Sequence, residues 1–422
     1  MPAIAPHARI RHDYDVQRRH LPRVLHTAAE LGRHSRFSGE EQASAELTPQ
    51  LLSFWRSLWN TTYYRDTLGK SGFGLSDVQS LSDMANLPML ERSALRERWR
   101  DFLPLDTSSS ELCAVRSSGS TGEPLMALKD GFDQVHMWGV LRFWMAHLST
   151  ELPAQPRVCL LDALPGGLEY GARLPLLNDG FLERISTVLP DPVSRMQDFK
   201  PQVVFSDPAG LHWLASNPLP VSLLLSSAQY LAPALRTRLK SPILNYYSTT
   251  ETGPIAWECL QAQDCWHVLA PDVWVESVES ELVVTRLRPS AMPLLRYKTG
   301  DRGRVGFERC ACGLRGWSIS GFTGRRACWF ENPRGERVDA WQLAWLFKQF
   351  ALSEFQMTQE CPSRFLVEIA SQDSHAGLIS KLTQALGVLG WPSAEIELRY
   401  GIAPLGALKP SPFRSRLNGH HD

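Results

Sequence analysis

Between residues 40 and 103 apolar side chains return every three or four positions. Leu51, Phe54, Trp55, Leu58 and Trp59 thereby share one face of a helix. Leu87-Pro-Met-Leu leads into another helix near 91–102. From 112 onward the pattern changes to short apolar runs separated by Gly, Pro and Asp. Arg157-Val-Cys-Leu-Leu-Asp, Gln202-Val-Val-Phe-Ser-Asp, Val221-Ser-Leu-Leu-Leu-Ser-Ser and Pro242-Ile-Leu-Asn-Tyr-Tyr read as buried strands. Helical stretches such as 132–148 and 230–240 lie between several of them. Strand–helix alternation predicts an α/β body with a substantially parallel sheet, whose ligands settle where strands end in loops. Glu281-Leu-Val-Val-Thr-Arg-Leu and Gly303-Arg-Val-Gly-Phe predict antiparallel strands over 279–307, a small β-barrel-like part. After a break at Gly321-Phe-Thr-Gly-Arg, a Trp-rich helix (Ala340 to Phe350) is expected, then strands at 354–359 and 364–370. A helix at 376–388 and a strand at 394–400 complete a small α+β unit. The expected fold class is therefore α/β. A large N-terminal domain over 1–322 carries layered α/β sheets and the barrel-like part, and a small α+β C-terminal domain covers 323–422.

A chain of 422 residues has ample surface to bury. Its 44 basic residues balance 44 acidic ones, which removes any general electrostatic case for binding nucleic acid or a membrane surface. No apolar run reaches the roughly 20 residues a bilayer requires, and the N-terminus lacks the apolar stretch of a secretory signal. The first 35 residues mix His7, His12, His20, His26 and His34 with Asp13, Asp15 and Glu30, which reads as a solvated, mostly helical lead-in. Eight cysteines in such a chain are not a disulfide framework, and a cytoplasmic protein is expected. Cys113, Cys159, Cys328 and Cys361 are scattered. Cys259 and Cys265 stand beside His267, and Cys310 and Cys312 form a Cys-Ala-Cys-Gly pair.

Three segments carry chemistry. Residues 117–124 read Ser-Ser-Gly-Ser-Thr-Gly-Glu-Pro. Gly119 and Gly122 let main-chain N–H groups approach an anion, and Ser117, Ser118, Ser120 and Thr121 add hydroxyl donors. Alone, such a loop is as readily an exposed Ser/Gly turn, and it lacks the Gly-Lys-Ser/Thr ending of a Walker loop. Residues 246–253, Tyr-Tyr-Ser-Thr-Thr-Glu-Thr-Gly, follow an apolar strand. Tyr247 offers a flat face for a base, Thr250 a hydroxyl for a phosphate and Glu251 a hard oxygen for Mg²⁺. The same residues also suit a core and a helix cap. In Arg296-Tyr-Lys-Thr-Gly-Asp, Asp301 could accept from both ribose hydroxyls, whereas Arg296 reads as structural.

Together the three segments resemble the adenylate-forming (acyl-AMP) ligase superfamily. The glycine loop without a following lysine, Pro293-Leu-Leu-Arg-Tyr-Lys-Thr-Gly-Asp and Cys-Ala-Cys-Gly resemble its phenylacetate–coenzyme A ligase-like branch, over roughly 85 to 330. The resemblance implies a ligase that joins a carboxylate to ATP as acyl-AMP, releasing pyrophosphate. The acyl group then passes to a thiol of coenzyme A or an acyl-carrier protein. An amine acceptor, or a degenerate nucleotide-binding relative without the second half-reaction, is the alternative. It further implies that 117–122 embrace the β- and γ-phosphates, that Ser227 and Ala228 lie against adenine, and that Tyr247 stacks on the base. Thr250 would bind the α-phosphate, Glu251 Mg²⁺, Asp301 the ribose, and Arg325 the ribose from the hinge of a mobile C-terminal domain. The family hinge reads Gly-Arg-x-Asp-Asp, while this chain has Gly324-Arg-Arg-Ala-Cys. The family's terminal Gly-Lys segment is replaced by Leu408-Lys-Pro-Ser-Pro-Phe-Arg, so Lys409 or Arg414 would reach the acyl phosphate. Members of the branch place a structural Zn²⁺ where this chain has Cys259, His267, Cys310 and Cys312, with Cys265 as an alternative ligand. An aromatic or otherwise apolar acid would sit among Phe143, Phe205 and Tyr246, with Trp138 and Trp144 beside them.

Overall fold

A computed structural model describes residues 14–107, 112–116, 125–148, 152–162, 170–187, 190–228, 231, 233–262, 264–323, 328–343, 346–347, 350, 355–369, 376–401 and 413–417. In the N-terminal part, the helix Glu40–Leu58 opens with Glu40 and Glu41, placed favourably against its N-terminal dipole. It buries Leu47, Leu51, Phe54, Trp55 and Leu58, the face its periodicity predicts. Thr61 caps the following helix Thr62–Lys70 by accepting from the Tyr64 N–H. These helices share a core with Phe102, Leu294 and Tyr297.

The first helix corrects the expectation of a solvated lead-in. Residues Tyr14–Arg33 are helical, but Val24, Thr27 and Leu31 are buried against the helix Gly131–His147. The approach is close because the second helix offers glycine. A Cβ at Gly139 would stand 2.9 Å from the Val24 carbonyl oxygen and 3.1 Å from Thr27.

A hairpin of β1 (Cys113–Arg116) and β2 (Met126–Lys129) precedes the main sheet. That sheet has twelve strands. Its first half contains β3 (Arg157–Asp162), β4 (Tyr170–Leu174), β5 (Gly180–Ser186), β6 (Val203–Ser206), β7 (Leu223–Ser226) and β8 (Ile243–Thr249). Strands β5, β3, β6, β7 and β8 lie side by side in parallel, with β4 antiparallel at the edge. Strands β3, β6, β7 and β8 are the buried runs read from the sequence, and β4 and β5 are additional. The second half is antiparallel: β9 (Gly253–Glu258), β10 (Trp266–Val268), β11 (Val273–Val278), β12 (Glu281–Arg286), β13 (Tyr297–Arg309) and β14 (Arg315–Thr323), in the order β9, β10, β14, β13, β12, β11. The part expected as a small barrel, 279–307, falls within this half, which is joined edge to edge to the parallel half. The seam is β8, parallel to β7 on one side and antiparallel to β9 on the other.

Apolar layers cover both faces of the parallel strands. One holds Trp138, Trp144, Leu225 and Leu244, and the other Cys159, Val204, Leu224 and Ile243. Beyond residue 328 a third core forms around Phe330, Phe347, Phe365, Leu382 and Trp391. It lies against β17 (Phe355–Cys361), β18 (Arg364–Ile369), β19 (Glu395–Tyr400) and β20 (Phe413–Ser415), ordered β19, β18, β17, β20, with the helix Leu378–Val388 packed on them; the short strands Trp329–Glu331 and Arg337–Asp339 precede these as β15 and β16. This is the mixed α/β architecture and small α+β unit the sequence predicts. Among the described residues no helix is long and apolar enough to cross a membrane.

Candidate functional site

The seam gathers residues from distant parts of the chain. Ser227 and Ala228 follow directly on β7, next to β8, and Ala228 takes a left-handed backbone conformation (φ 75°) that alanine rarely adopts. On β8, Tyr247 is buried, and its ring is tilted against Phe322 with centroids 4.6 Å apart. Its hydroxyl donates to Asp301 Oδ2 at 2.7 Å. Asp301 lies on β13, which does not neighbour β8 in the sheet, and its side chain reaches Tyr247 from 54 positions away. Two residues read independently from the sequence are thus hydrogen-bonded partners. Thr250 and Glu251 occupy the turn between β8 and β9, where the Thr252 N–H donates to Thr249 Oγ1 at 3.1 Å.

Glu251 is held from two sides. Its carboxylate is 3% exposed, and Oε1 accepts from Arg92 Nη1 at 2.6 Å and from the Tyr297 hydroxyl at 3.2 Å. Burial pushes the Tyr297 phenol well up, so it stays a donor at neutral pH. From behind, Arg286 Nη1 donates to the Glu251 carbonyl at 2.9 Å and Arg288 Nη2 to the Thr252 carbonyl at 3.3 Å. Both guanidiniums are buried and meet Asp133, which Arg288 contacts at 2.7 Å and Arg286 at 3.7 Å. Burial alone would raise the Asp133 carboxyl. The two guanidiniums outweigh it and hold the group well below the usual carboxylate range. Burial also lowers Arg286 to about 10, still charged at neutral pH. None of Arg92, Asp133, Arg286, Arg288 or Tyr297 stands out by spacing in the sequence. The only signal is a pair of arginines closing the apolar run Leu282-Val-Val-Thr-Arg286-Leu-Arg288, where charge needs a buried partner. Arg296 is structural, as its sequence context suggests, with its guanidinium on the Ala85 and Leu87 carbonyls and on Glu276.

Residues 117–122, Arg325 and Lys409 lie outside the described residues. The strands flanking the glycine loop pair through Arg116 and Met126. Arg414 lies on β20, paired with Thr358 of β17. Of the aromatic residues, Phe205 meets Trp138 edge-on at 6.2 Å and Tyr246 meets Trp144 at 5.1 Å, so helix Gly131–His147 and the strand ends form one aromatic layer. Phe143 sits apart from them, against Trp257 and His147.

A second cluster lies toward the other end of the antiparallel strands. Single ligand atoms of Cys259, His267, Cys310 and Cys312 all fall within 4.8 Å of one another. Cys310 Sγ is 3.5 Å from Cys259 Sγ, and Cys312 Sγ is 3.4 Å from His267 Nε2. The sulfur spacing is far beyond a disulfide bond. It matches the edge of a tetrahedron with metal–sulfur bonds of about 2.3 Å. Local folding produces the geometry. The Cys259 N–H donates to the Cys265 carbonyl, and the Cys310 N–H donates to Leu314 across a turn in which Gly313 takes φ 90°. Burial, helped by His147, lowers His267 to about 4, which keeps its imidazole neutral and able to ligate at neutral pH. Burial and the neighbouring Cys310 thiol push Cys312 up to about 12, the cost of a further thiolate where no cation compensates. Cys265 is not part of this quartet.

No family model matches the chain. It is 26% identical over 291 residues to a phenylacetate–coenzyme A ligase of Thermus thermophilus, covering 60% of this chain and 63% of that protein. It is 23% identical over 317 residues to a phenylacetate–coenzyme A ligase of Aromatoleum evansii, covering 64% of this chain and 67% of that one. The chain thus spans less than two thirds of the Thermus protein's length. Its fold is similar to 2-hydroxyisobutyryl-CoA ligase in complex with 2-HIB-AMP in the postadenylation state, with a TM-score of 0.56 at 15% identity, over 91% of this chain and 90% of that one. Against the same ligase with 2-HIB-AMP and CoA in the thioesterification state the TM-score is 0.58 at 16% identity, covering 91% and 92%.

Proposed function

We propose that this chain, a member of the adenylate-forming ligase superfamily in its phenylacetate–coenzyme A ligase-like branch, activates an aromatic or apolar carboxylic acid with ATP. The acyl group then goes to a thiol, that of coenzyme A or of a carrier protein. The observation that carries the reading is the convergence at the β8 seam. Tyr247 and Asp301 are bonded at 2.7 Å, and Glu251 is fixed a few residues away. In that arrangement Tyr247 lies beneath the base, while Asp301, steadied through Oδ2 by the phenol, binds the ribose. Thr250 faces the α-phosphate, and residues 117–122 close over the β- and γ-phosphates. The acid's carboxylate oxygen attacks the α-phosphorus and the bond to pyrophosphate breaks. A thiolate then attacks the acyl carbon and AMP leaves. Donors already in position meet the charge that builds at the α-phosphoryl group, which is where such catalysis gains most. Glu251, a hard carboxylate suited to a hard cation, would hold the Mg²⁺ that accompanies ATP, and the ion would supply charge neutralisation at the phosphates. The acid itself rests in the layer of Phe205, Trp138, Tyr246 and Trp144; Phe143, on the same helix but against Trp257 and His147, stands outside it. Residues 323–422 act as the mobile domain over 1–322, bringing Arg325 and Lys409 to the cleft.

The quartet Cys259, His267, Cys310 and Cys312 fits a structural Zn²⁺: four N/S donors in a closed set, with a neutral imidazole and spacings of a tetrahedral edge. Such an ion would bind the loop after β9 to the turn between β13 and β14.

Pyrophosphate exchange into ATP, screened against a panel of aromatic and aliphatic acids, tests the reading. Exchange that depends on one class of acid, with AMP and a thioester appearing when coenzyme A is added, is the expected result. ATP binding without exchange for any acid overturns it.

A further inference from the structure

We propose that Arg92 is a positioning residue for Glu251, gripping the carboxylate by Oε1 so that Oε2 is presented to MgATP in the cleft. The inference rests on the function proposed above. Arg92 opens the short helix Arg92–Glu97, outside the three segments that read the nucleotide. The chain just before it is stitched to the start of β13. The Leu90 N–H donates to the Arg296 carbonyl at 2.9 Å, the Lys298 N–H donates to the Leu90 carbonyl at 3.0 Å, and Lys298 Nζ bonds Glu91 at 2.8 Å. Arg92 and Tyr297 are therefore carried by one local unit, and Arg92 Nη1 stands 3.3 Å from the Tyr297 hydroxyl. Both land on the same oxygen of Glu251, and among the described residues no hydrogen bond reaches the other. The backbone under Glu251 is pinned separately by Arg286 and Arg288. What remains to be set is the carboxylate's rotation, and that is what two donors on one oxygen fix. Arginine suits this because its charge neutralises a buried carboxylate while its fork dictates direction.

The test uses the full chain and titrates Mg²⁺ in two readouts, ATP binding by calorimetry and pyrophosphate exchange, for wild type, Arg92→Met, Arg92→Lys and Tyr297→Phe. Arg92→Met is expected to raise the Mg²⁺ concentration for half-saturation of ATP binding about tenfold, the change that matches one charge-assisted hydrogen bond. AMP binding without Mg²⁺ should stay within about twofold, because AMP does not need the cation. Arg92→Lys should recover part of the loss. Tyr297→Phe, which removes one donor without altering charge, should shift Mg²⁺ dependence in the same direction by a smaller factor. Unchanged Mg²⁺ half-saturation in Arg92→Met overturns the proposal. So does tighter Mg²⁺ binding, which would make Arg92 a competitor of the cation, or an equal loss for AMP and MgATP, which would make it merely structural. Should Arg92→Met fail to fold, Arg92→Lys and Tyr297→Phe decide by the same criteria. Mg²⁺-dependent ATP binding that shifts as expected, with no exchange for any acid, refutes the ligase reading but keeps this one. A wild type that binds no ATP refutes both.

Discussion

At the scale of single residues, the surroundings of Glu251 and Asp133 show how a buried charge is made tolerable by a partner reached through the fold. His136 illustrates the opposite solution, a titratable group kept neutral. Its Nε2 lies 2.6 Å from Asp272 Oδ2, while Nδ1 meets no donor or acceptor among the described residues. A bare ring nitrogen suits neutral imidazole and not imidazolium, which would need a second acceptor. Burial, and then the nearby Arg288 guanidinium, lowers its pKa, against the opposing pull of Asp272 and Asp133. The unfolded chain therefore binds a proton at His136 that the folded chain refuses. Stability is unaffected by this residue well above pH 6.5 and declines as pH falls below it, by roughly 1 kcal/mol over the first pH unit. Other buried histidines push the same way, so the difference between proteins is the measurement. Urea midpoints at pH 7.5 and 5.5 should fall further apart for wild type than for His136→Gln, which keeps a donor for Asp272. Equal spacing would show that His136 is protonated in the folded state.

At the scale of elements, the parallel strands and the helix Gly131–His147 were legible because fully apolar runs and a 17-residue helix leave little choice of period. The site residues Tyr247, Glu251 and Asp301 were legible as motifs, but their bonding was not. Tyr247 and Asp301 meet although β14, β10 and β9 stand between their strands in the sheet order, a tertiary fact that no local pattern carries. Arg92 and Asp133 were invisible for the same reason, each lying more than one hundred residues from the group it serves. The first helix was misread as solvated because its charged residues outnumber a narrow stripe of Val24, Thr27 and Leu31. The glycine that receives it gives a paired prediction. Gly139→Ala gains helix propensity of up to about 1 kcal/mol but puts a methyl 2.9 Å from the Val24 carbonyl. Overpacking of this kind costs roughly 1–3 kcal/mol, so the net change should be destabilising. In the helix Leu378–Val388, a Cβ at Gly387 meets nothing within 4 Å, and Gly387→Ala should be neutral or stabilising. Urea denaturation of the two variants checks the contrast, and trypsin cleavage near Arg18, Arg19 and Arg23 should quicken only for Gly139→Ala.

At the scale of the molecule, Cys310 of the cysteine–histidine quartet and Asp301 of the candidate site lie toward opposite ends of the same strand. Asp301 and Cys310 are nine positions apart along and just past β13, about 30 Å of extended chain. A cation held there would stand apart from the candidate site. It would close the edge where β9 gives way to β10 and where β13 turns into β14, so its loss should register in stability far more than in nucleotide affinity. Protein purified without chelator is expected to carry one zinc per chain by mass spectrometry. The double variant Cys310→Ser, Cys312→Ser should lose it, with a lowered Tm and MgATP affinity within a few-fold of wild type. Serine keeps the size but not the soft thiolate, so a Tm loss that accompanies metal loss, and that strong chelation reproduces in wild type, assigns the effect to the ion and not to repacking. Metal-free protein with an unchanged Tm would leave the quartet as three reduced thiols and an imidazole brought together by the strand order alone.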